Sequence, residues 1–351
     1  MFLRNCWYVA AAGHELGRRL LGRTLLDEPV VMYRKADGTP VALEDRCPHR
    51  FLALSLGTLK GDAVECGYHG LTVDCDGRCV HVPGQRALPR GADVRAYPVV
   101  ERWKLIWIWM GDPALADPAL IPRIWRNDHP DWTAVCGDPI PMKADYRMVA
   151  DNLLDPSHVT FVHRTTLGTA AVAEVPIETE QDGTMVRVVR WIMDSPPAPV
   201  YAKLGGFNDN VDRWQIITYT PPCLVEVDMG SCIAGTGARD GDRSQGIELH
   251  AFNMVTPETA RSSFYFWTHV RNFRTEDENV SAMVKENFLT AFREDVTVIE
   301  GVQEGLDRFP DKEFVNIAVD AGPIRARRIL DELIDDERDG RPFLQVPRMA
   351  G

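Results

Sequence analysis

The rhythm of apolar and polar positions changes near residue 112. Before it, short apolar or alternating runs are separated by Gly, Pro and Asp-Gly turns. Residues 30–34 (VVMYR) and 40–44 (PVALE) flank the turn Ala36-Asp37-Gly38, and the strongly apolar run 105–110 (LIWIWM) is ended by Gly111-Asp112-Pro113. Asp74-Cys75-Asp76-Gly77-Arg78 is a further tight turn. Strand-length runs with this punctuation predict a small all-β module over residues 1–112. Residues 113–130, rich in Pro, Ala and Asp, read as a connection.

Beyond it the pattern mixes two periods. Residues 185–193, 214–219, 224–229, 246–255 and 262–270 read as strands, several with strict alternation, whereas 276–306 and 322–336 carry helical spacing. The Gly- and Asp-rich stretch 234–245 is expected to be an exposed, mobile loop. The fold class is therefore α+β. A second domain over 113–351 is expected to hold an antiparallel sheet flanked by helices.

Composition narrows the partners. A chain of 351 residues has room for two domains and a large core, and its net charge of −12 disfavours nucleic acid and anionic membranes. No run of eighteen apolar residues suggests a transmembrane helix. The opening MFLRNCWYVAAAGHELGRR has too brief an apolar run for a signal peptide, and Trp7-Tyr8-Val9 reads better as the start of a strand. The eight cysteines show no disulfide-like rhythm, so a reducing cytoplasm is expected.

Two of those cysteines carry the chemistry. Cys47-Pro48-His49 is followed sixteen residues on by Cys66-Gly67-Tyr68-His69, so each of two loops offers one thiolate and one imidazole. That set fits a Rieske [2Fe-2S] centre, in which two Cys hold one iron and two His the other. A tetrahedral zinc site uses the same donors, although zinc modules more often pair Cys with Cys and His with His.

A second constellation lies in DYRMVADNLLDPSHVTFVHR, residues 145–164. Asn152, Asp155 and His158 recur every three residues and on a helix form one polar stripe. His163 follows five later, which requires a distortion that Pro156 explains. Two imidazoles and one carboxylate make the facial triad of non-haem Fe(II) oxygenases. Asp155 and the distant Asp295 compete for the acidic position. Phe288, Phe292, Asp295 and Ile299 share a helical stripe, and an ionised Asp there needs a metal or a cation such as Arg147 or Arg293. Glu294 points off that stripe. Asp155 is then free to hold the ring hydrogen of a ligand histidine.

CPHR at 47–50, CGYHG at 66–70 and DNLLDPSHVTFVH at 151–163 resemble the oxygenase components of Rieske non-haem iron oxygenases, and the resemblance runs over nearly the whole chain. NCWYVA at 5–10, LSLG at 54–57, PGQ at 83–85, DRWQI at 212–216, TPET at 256–259 and RNF at 271–273 look most like the branch of vanillate O-demethylase, toluenesulfonate methyl-monooxygenase and dicamba O-demethylase. Gly67 stands where many relatives have Pro.

The resemblance implies a Rieske domain followed by a helix-grip, START-like catalytic domain. It implies that Cys47, His49, Cys66 and His69 hold the cluster and that His158, His163 and Asp295 hold Fe(II). Asp155, with Asn152 beside it in the motif, is expected to serve catalysis. It resembles the acid that links His69 of one subunit to His158 of its neighbour, which implies a homotrimer. No flavin or nicotinamide motif is evident, so a separate reductase carrying flavin and a ferredoxin-type cluster is expected to bring electrons from NAD(P)H. Implied is an O2-dependent monooxygenase that hydroxylates or O-demethylates an aromatic acid. A ring-hydroxylating dioxygenase and a non-catalytic Rieske-type electron carrier are the alternatives. Asn253 stands where dicamba-type relatives place a polar contact to substrate, or it is a sheet residue bonded to solvent.

Overall fold

The computed structural model describes residues 1–163, 175–341 and 343, and they fall into two compact units. Of the described residues, the first comprises 1–121, 256–260, 337–341 and 343; the second comprises 122–163, 175–255 and 261–336.

The first unit is built from three small antiparallel sheets. Trp7–Ala12, Leu105–Trp109 and Val99–Arg102 form one, Leu21–Leu25, Glu28–Arg34 and Pro40–Glu44 a second, and Thr58–Lys60, Ala63–Glu65, Thr72–Val73 and Cys79–His81 a third. Two of these strands match the sequence reading closely because alternation and turn chemistry agree there. Arg34 and Val41 bracket a turn whose Gly38 takes φ +88°, a backbone state Gly adopts freely. Distant segments also belong to this unit: the Thr256 hydroxyl donates to the Val9 carbonyl at 2.7 Å, and Glu337 accepts from the amides of Arg4 and Asn5 at 2.8 and 2.7 Å. Neither link carries a local signal.

The second unit is an antiparallel sheet with helices on one face. Its strand order is Thr133–Cys136, Ser262–Arg271, Gly246–Thr259, Leu224–Ile233, Val211–Thr220, Met185–Ser195, Glu178–Asp182, with Ile140–Met142 also paired to Ser262–Arg271. Among the described residues the α-helices are α1 (Tyr146–Leu154), α2 (Val159–Val162), α3 (Pro199–Gly205), α4 (Glu278–Arg308) and α5 (Ala321–Arg338). Alternation decides which face each strand residue takes. Val186, Val188, Ile217, Tyr219 and Val225 pack under Ala150 and Leu154 of α1 and Ala326 and Ile329 of α5. Trp214 and Ile216, one step out of phase, pack on the other face with Cys232 and Ala238.

Two expectations need correction. The break expected near Pro156 is present, but it splits the polar stripe itself: α1 ends at Leu154, Asp155 caps it at φ −108°, and a turn leads to α2, so Asn152, Asp155 and His158 do not share one helix. Pro156 lacks the N–H a continuing helix would use, so the polar stripe is broken there. The loop 234–245 is not freely exposed along its length either. The Gly235 amide donates to Asp212 at 2.8 Å, Ala238 is buried, and Arg243 bridges Asp228 and Glu248 at 2.9 and 3.1 Å. The acids that hold it stand on neighbouring strands, invisible to local composition.

Candidate metal centres

The two Cys–His loops of the first unit close in the same way. In one, the Cys47 amide donates to the Leu52 carbonyl and the Phe51 amide to the Cys47 carbonyl, both at 2.8 Å. In the other, the Cys66 amide donates to Leu71 at 2.8 Å and the Gly70 amide to Cys66 at 3.1 Å. Each loop turns on a left-handed residue, Phe51 at φ +61° and Gly70 at φ +73°. A Cβ on Gly70 would also meet Pro83 Cγ at 2.9 Å. The result places Cys47 and Cys66 in the core and leaves His49 and His69 exposed, their rings 4.6 Å apart. Burial, with the neighbouring Cys66 thiol, pushes the Cys47 thiol up. Two buried thiols side by side need a cation before they ionise, so the donor set fits the cluster.

The second unit gathers the other donors from α2 and α4. His158 precedes α2 and His163 ends it, one short turn apart, which brings their rings to 5.2 Å. The buried stripe of α4 runs Val280, Val284, Phe288, Phe292, Asp295, Ile299, Gln303. Asp295 Oδ1 lies 3.6 Å from His158 Nε2 and 3.2 Å from His163 Nε2. The three donor atoms lie within 4.8 Å of one another. Asp295 is 8% exposed and, among the described residues, forms no ion pair with Lys or Arg. Arg147 pairs instead with Asp145, and Arg293 with Glu286. An isolated carboxylate in this position would cost several kcal/mol. A divalent cation between the three groups removes that cost, so this set too fits its metal.

The surroundings of the triad differ from donor to donor. The Asn152 amide on α1 donates to Asp295 Oδ1 at 3.3 Å. His158 Nδ1 contacts the backbone carbonyl of Asp155, whereas the Asp155 carboxylate accepts from the amide of Ser157 at 2.9 Å and from its hydroxyl. Asp155 thus reaches His158 through its carbonyl oxygen, an arrangement that residue identity could not reveal. Glu294 accepts from His163 Nδ1 at 2.7 Å. Burial draws the His158 pKa down; for His163 burial acts the same way, but Asp295 and Glu294 outweigh it and hold the ring up. Sequence reading set Glu294 aside because it leaves the buried stripe. Its adjacency to Asp295 was the one available signal.

A third acidic group, Asp228, Glu248 and His250, also converges within 4.8 Å. Arg243 already brings positive charge to its two carboxylates, and His250 Nδ1 lies 3.0 Å from Glu226.

The family described as Vanillate O-demethylase oxygenase C-terminal domain matches residues 142–336, and the Rieske [2Fe-2S] domain matches residues 6–98. The iron-sulfur subunit of a toluene-4-sulfonate monooxygenase system from Comamonas testosteroni is 41% identical over 97% of this chain and 99% of its own length. The chain belongs to the Rieske non-haem iron oxygenases. A vanillate O-demethylase oxygenase subunit from a Pseudomonas species is 35% identical over the full length of both chains. The crystal structure of dicamba monooxygenase bound to 3,6-dichlorosalicylic acid superposes with a TM-score of 0.91, at 34% identity, covering 96% of this chain and 99% of that one. Like those relatives, this Rieske oxygenase is the oxygenase component of a monooxygenase and works with separate protein components. Its cofactors are a Rieske [2Fe-2S] cluster and a mononuclear iron.

Asn253 is placed apart from solvent. It is 1% exposed; its amide donates to the Val225 carbonyl at 3.0 Å and accepts from the Tyr265 hydroxyl at 2.7 Å. Tyr265 and Trp267 stand against Phe292 of α4, with centroids 5.0 and 5.4 Å away, and His269 against Phe288 at 3.8 Å. His269, a lone imidazole in the run YFWTHV, was missed from sequence. Among the described residues its Nδ1 has no hydrogen-bond partner, and burial pushes its pKa down to about 3.

Proposed function

We propose that this oxygenase hydroxylates the methyl group of an anionic aromatic substrate, and that with an aryl methyl ether the outcome is O-demethylation. The observation that carries this reading is Asp295, a buried carboxylate aimed at two histidines and, among the described residues, in no ion pair with Lys or Arg, in a chain similar end to end to methyl-group oxygenases.

In this reading Cys47, His49, Cys66 and His69 hold the cluster, and His158, His163 and Asp295 hold the iron. When bound, the cluster supplies single electrons and the iron activates O2. Asn152 steadies Asp295 through its amide. Asp155 carries electrons from His69 of a neighbouring subunit to His158, within a homotrimer. Ser157 fixes the Asp155 carboxylate, while the Asp155 carbonyl sets the His158 ring. Phe288, Phe292, Tyr265 and Trp267 supply an apolar wall for a ring, and Asn253 and His269 are the polar groups on it. In the net reaction a methyl C–H and O2, with two electrons and two protons, give a hydroxymethyl group and water. An aryl hydroxymethyl ether then collapses to a phenol and formaldehyde.

The electrons come from NAD(P)H through a separate reductase carrying flavin and a ferredoxin-type cluster, in the cytoplasm. The residues divide functionally into a Rieske domain over 1–112 and a catalytic domain over 113–351.

The test is O2 uptake with a surrogate reductase, across methoxybenzoates and toluenesulfonate. One formaldehyde per O2 from a methoxybenzoate, or a benzylic alcohol from the sulfonate, is expected. A cis-diol product would move the enzyme to the ring dioxygenases, and uptake indifferent to every aromatic would remove the substrate class. Asp155→Ala is expected to leave iron and sulfide contents unchanged and abolish turnover; normal turnover would end its electron-bridge role.

A further inference from the structure

The three proposed iron ligands are supported unequally. His158 Nδ1 meets a neutral carbonyl and Asp295 a neutral amide, but His163 Nδ1 meets a full carboxylate, Glu294, at 2.7 Å. We infer that Glu294 is a positioning residue for the mononuclear iron: it orients His163, fixes its proton on Nδ1 and supplies the second negative charge of the site. This inference rests on the assignment of His158, His163 and Asp295 as the ligands.

The geometry gives Glu294 this task on three counts. First, an acceptor on Nδ1 selects the tautomer whose Nε2 lone pair is free, and Nε2 is the nitrogen that faces Asp295 at 3.2 Å. Second, the constraint on His163 comes from α4, a helix of 31 residues, whereas α2 has only four residues. Because Glu294 and Asp295 are consecutive on α4, one rigid helix fixes both a ligand and the orientation of its neighbour. Third, the charges balance: Asp295 and Glu294 together match a divalent ion, with two neutral imidazoles completing the set. Among the described residues Glu294 forms no ion pair with Lys or Arg, so its charge is directed to His163. A carboxylate behind an imidazole also makes that imidazole the better donor. His163 therefore grips the iron more strongly than His158, the histidine on the electron-entry side.

The test is the Fe(II) dissociation constant of apo-protein, measured by chelator competition, in the wild type and in Glu294→Gln, Glu294→Asp and the surface control Glu286→Gln. Glu294→Gln keeps an acceptor but loses the charge and is expected to weaken Fe(II) binding about 10–100-fold. Glu294→Asp is expected to recover part of that loss, and Glu286→Gln to match the wild type. The Rieske visible spectrum and the far-UV circular dichroism, unchanged throughout, report that both units stay folded. Glu294→Gln with wild-type affinity would overturn the inference. Asp295→Ala, measured in parallel, separates the two readings: if it also keeps its iron, the ligand assignment itself has failed.

Discussion

His269 shows what one buried side chain does to stability. The free imidazole takes up a proton near pH 6.5, but burial holds the folded one neutral down to about 3. The unfolded chain therefore binds the extra proton first. Stability from this group is complete above about pH 6.5 and falls as pH drops through the window to about 3, by up to about 1.4 kcal/mol per unit. Urea titrations of His269→Gln across that window should show a shallower acid slope than the wild type; an equal slope would mean that His269 is already protonated in the fold. Asn253 poses a different question at the same scale. Its Oδ1 is the acceptor for the buried Tyr265 hydroxyl, so Asn253→Ala should cost about 1–3 kcal/mol in urea unfolding. Unchanged stability with a raised KM would instead make it purely a substrate contact.

Among the elements, those with a periodic signal were legible and those set by tertiary contact were not. The α4 stripe was readable because Phe288, Phe292, Asp295 and Ile299 repeat at helical spacing, and the break at Pro156 because proline cannot continue a helix. The role of Asp155 was only half legible: position located it beside His158, but the choice of carbonyl over carboxylate depends on the turn and on Ser157. Glu294 was overlooked because the stripe argument asks which residues are buried, while a partly exposed acid can still reach inward to a ring nitrogen. The Cys–His loops were legible as donors but not as paired turns. Their left-handed residues give a direct prediction. Gly70→Ala forces φ +73° and a 2.9 Å approach to Pro83 on a side chain, at a cost of about 1–3 kcal/mol. It should lower the [2Fe-2S] content seen in the visible spectrum while mononuclear iron stays bound; full cluster content would show that the loop absorbs the strain.

For the whole molecule, the two centres lie in different compact units, and the sequence told which residues belong to each centre better than it told which segments belong to each unit. Thr256 joins the first unit through a hydrogen bond to Val9 and Glu337 through two, to Arg4 and Asn5, all hundreds of positions away, a relation no local pattern carries. The molecule carries two independent donor sets, and their most direct test is the iron and acid-labile sulfide content of anaerobically purified wild type and Asp295→Ala. The wild type should hold about three irons and two sulfides per chain, and the variant about two of each, with the Rieske signal intact. Three irons retained in Asp295→Ala, or zinc without sulfide in the wild type, would contradict this.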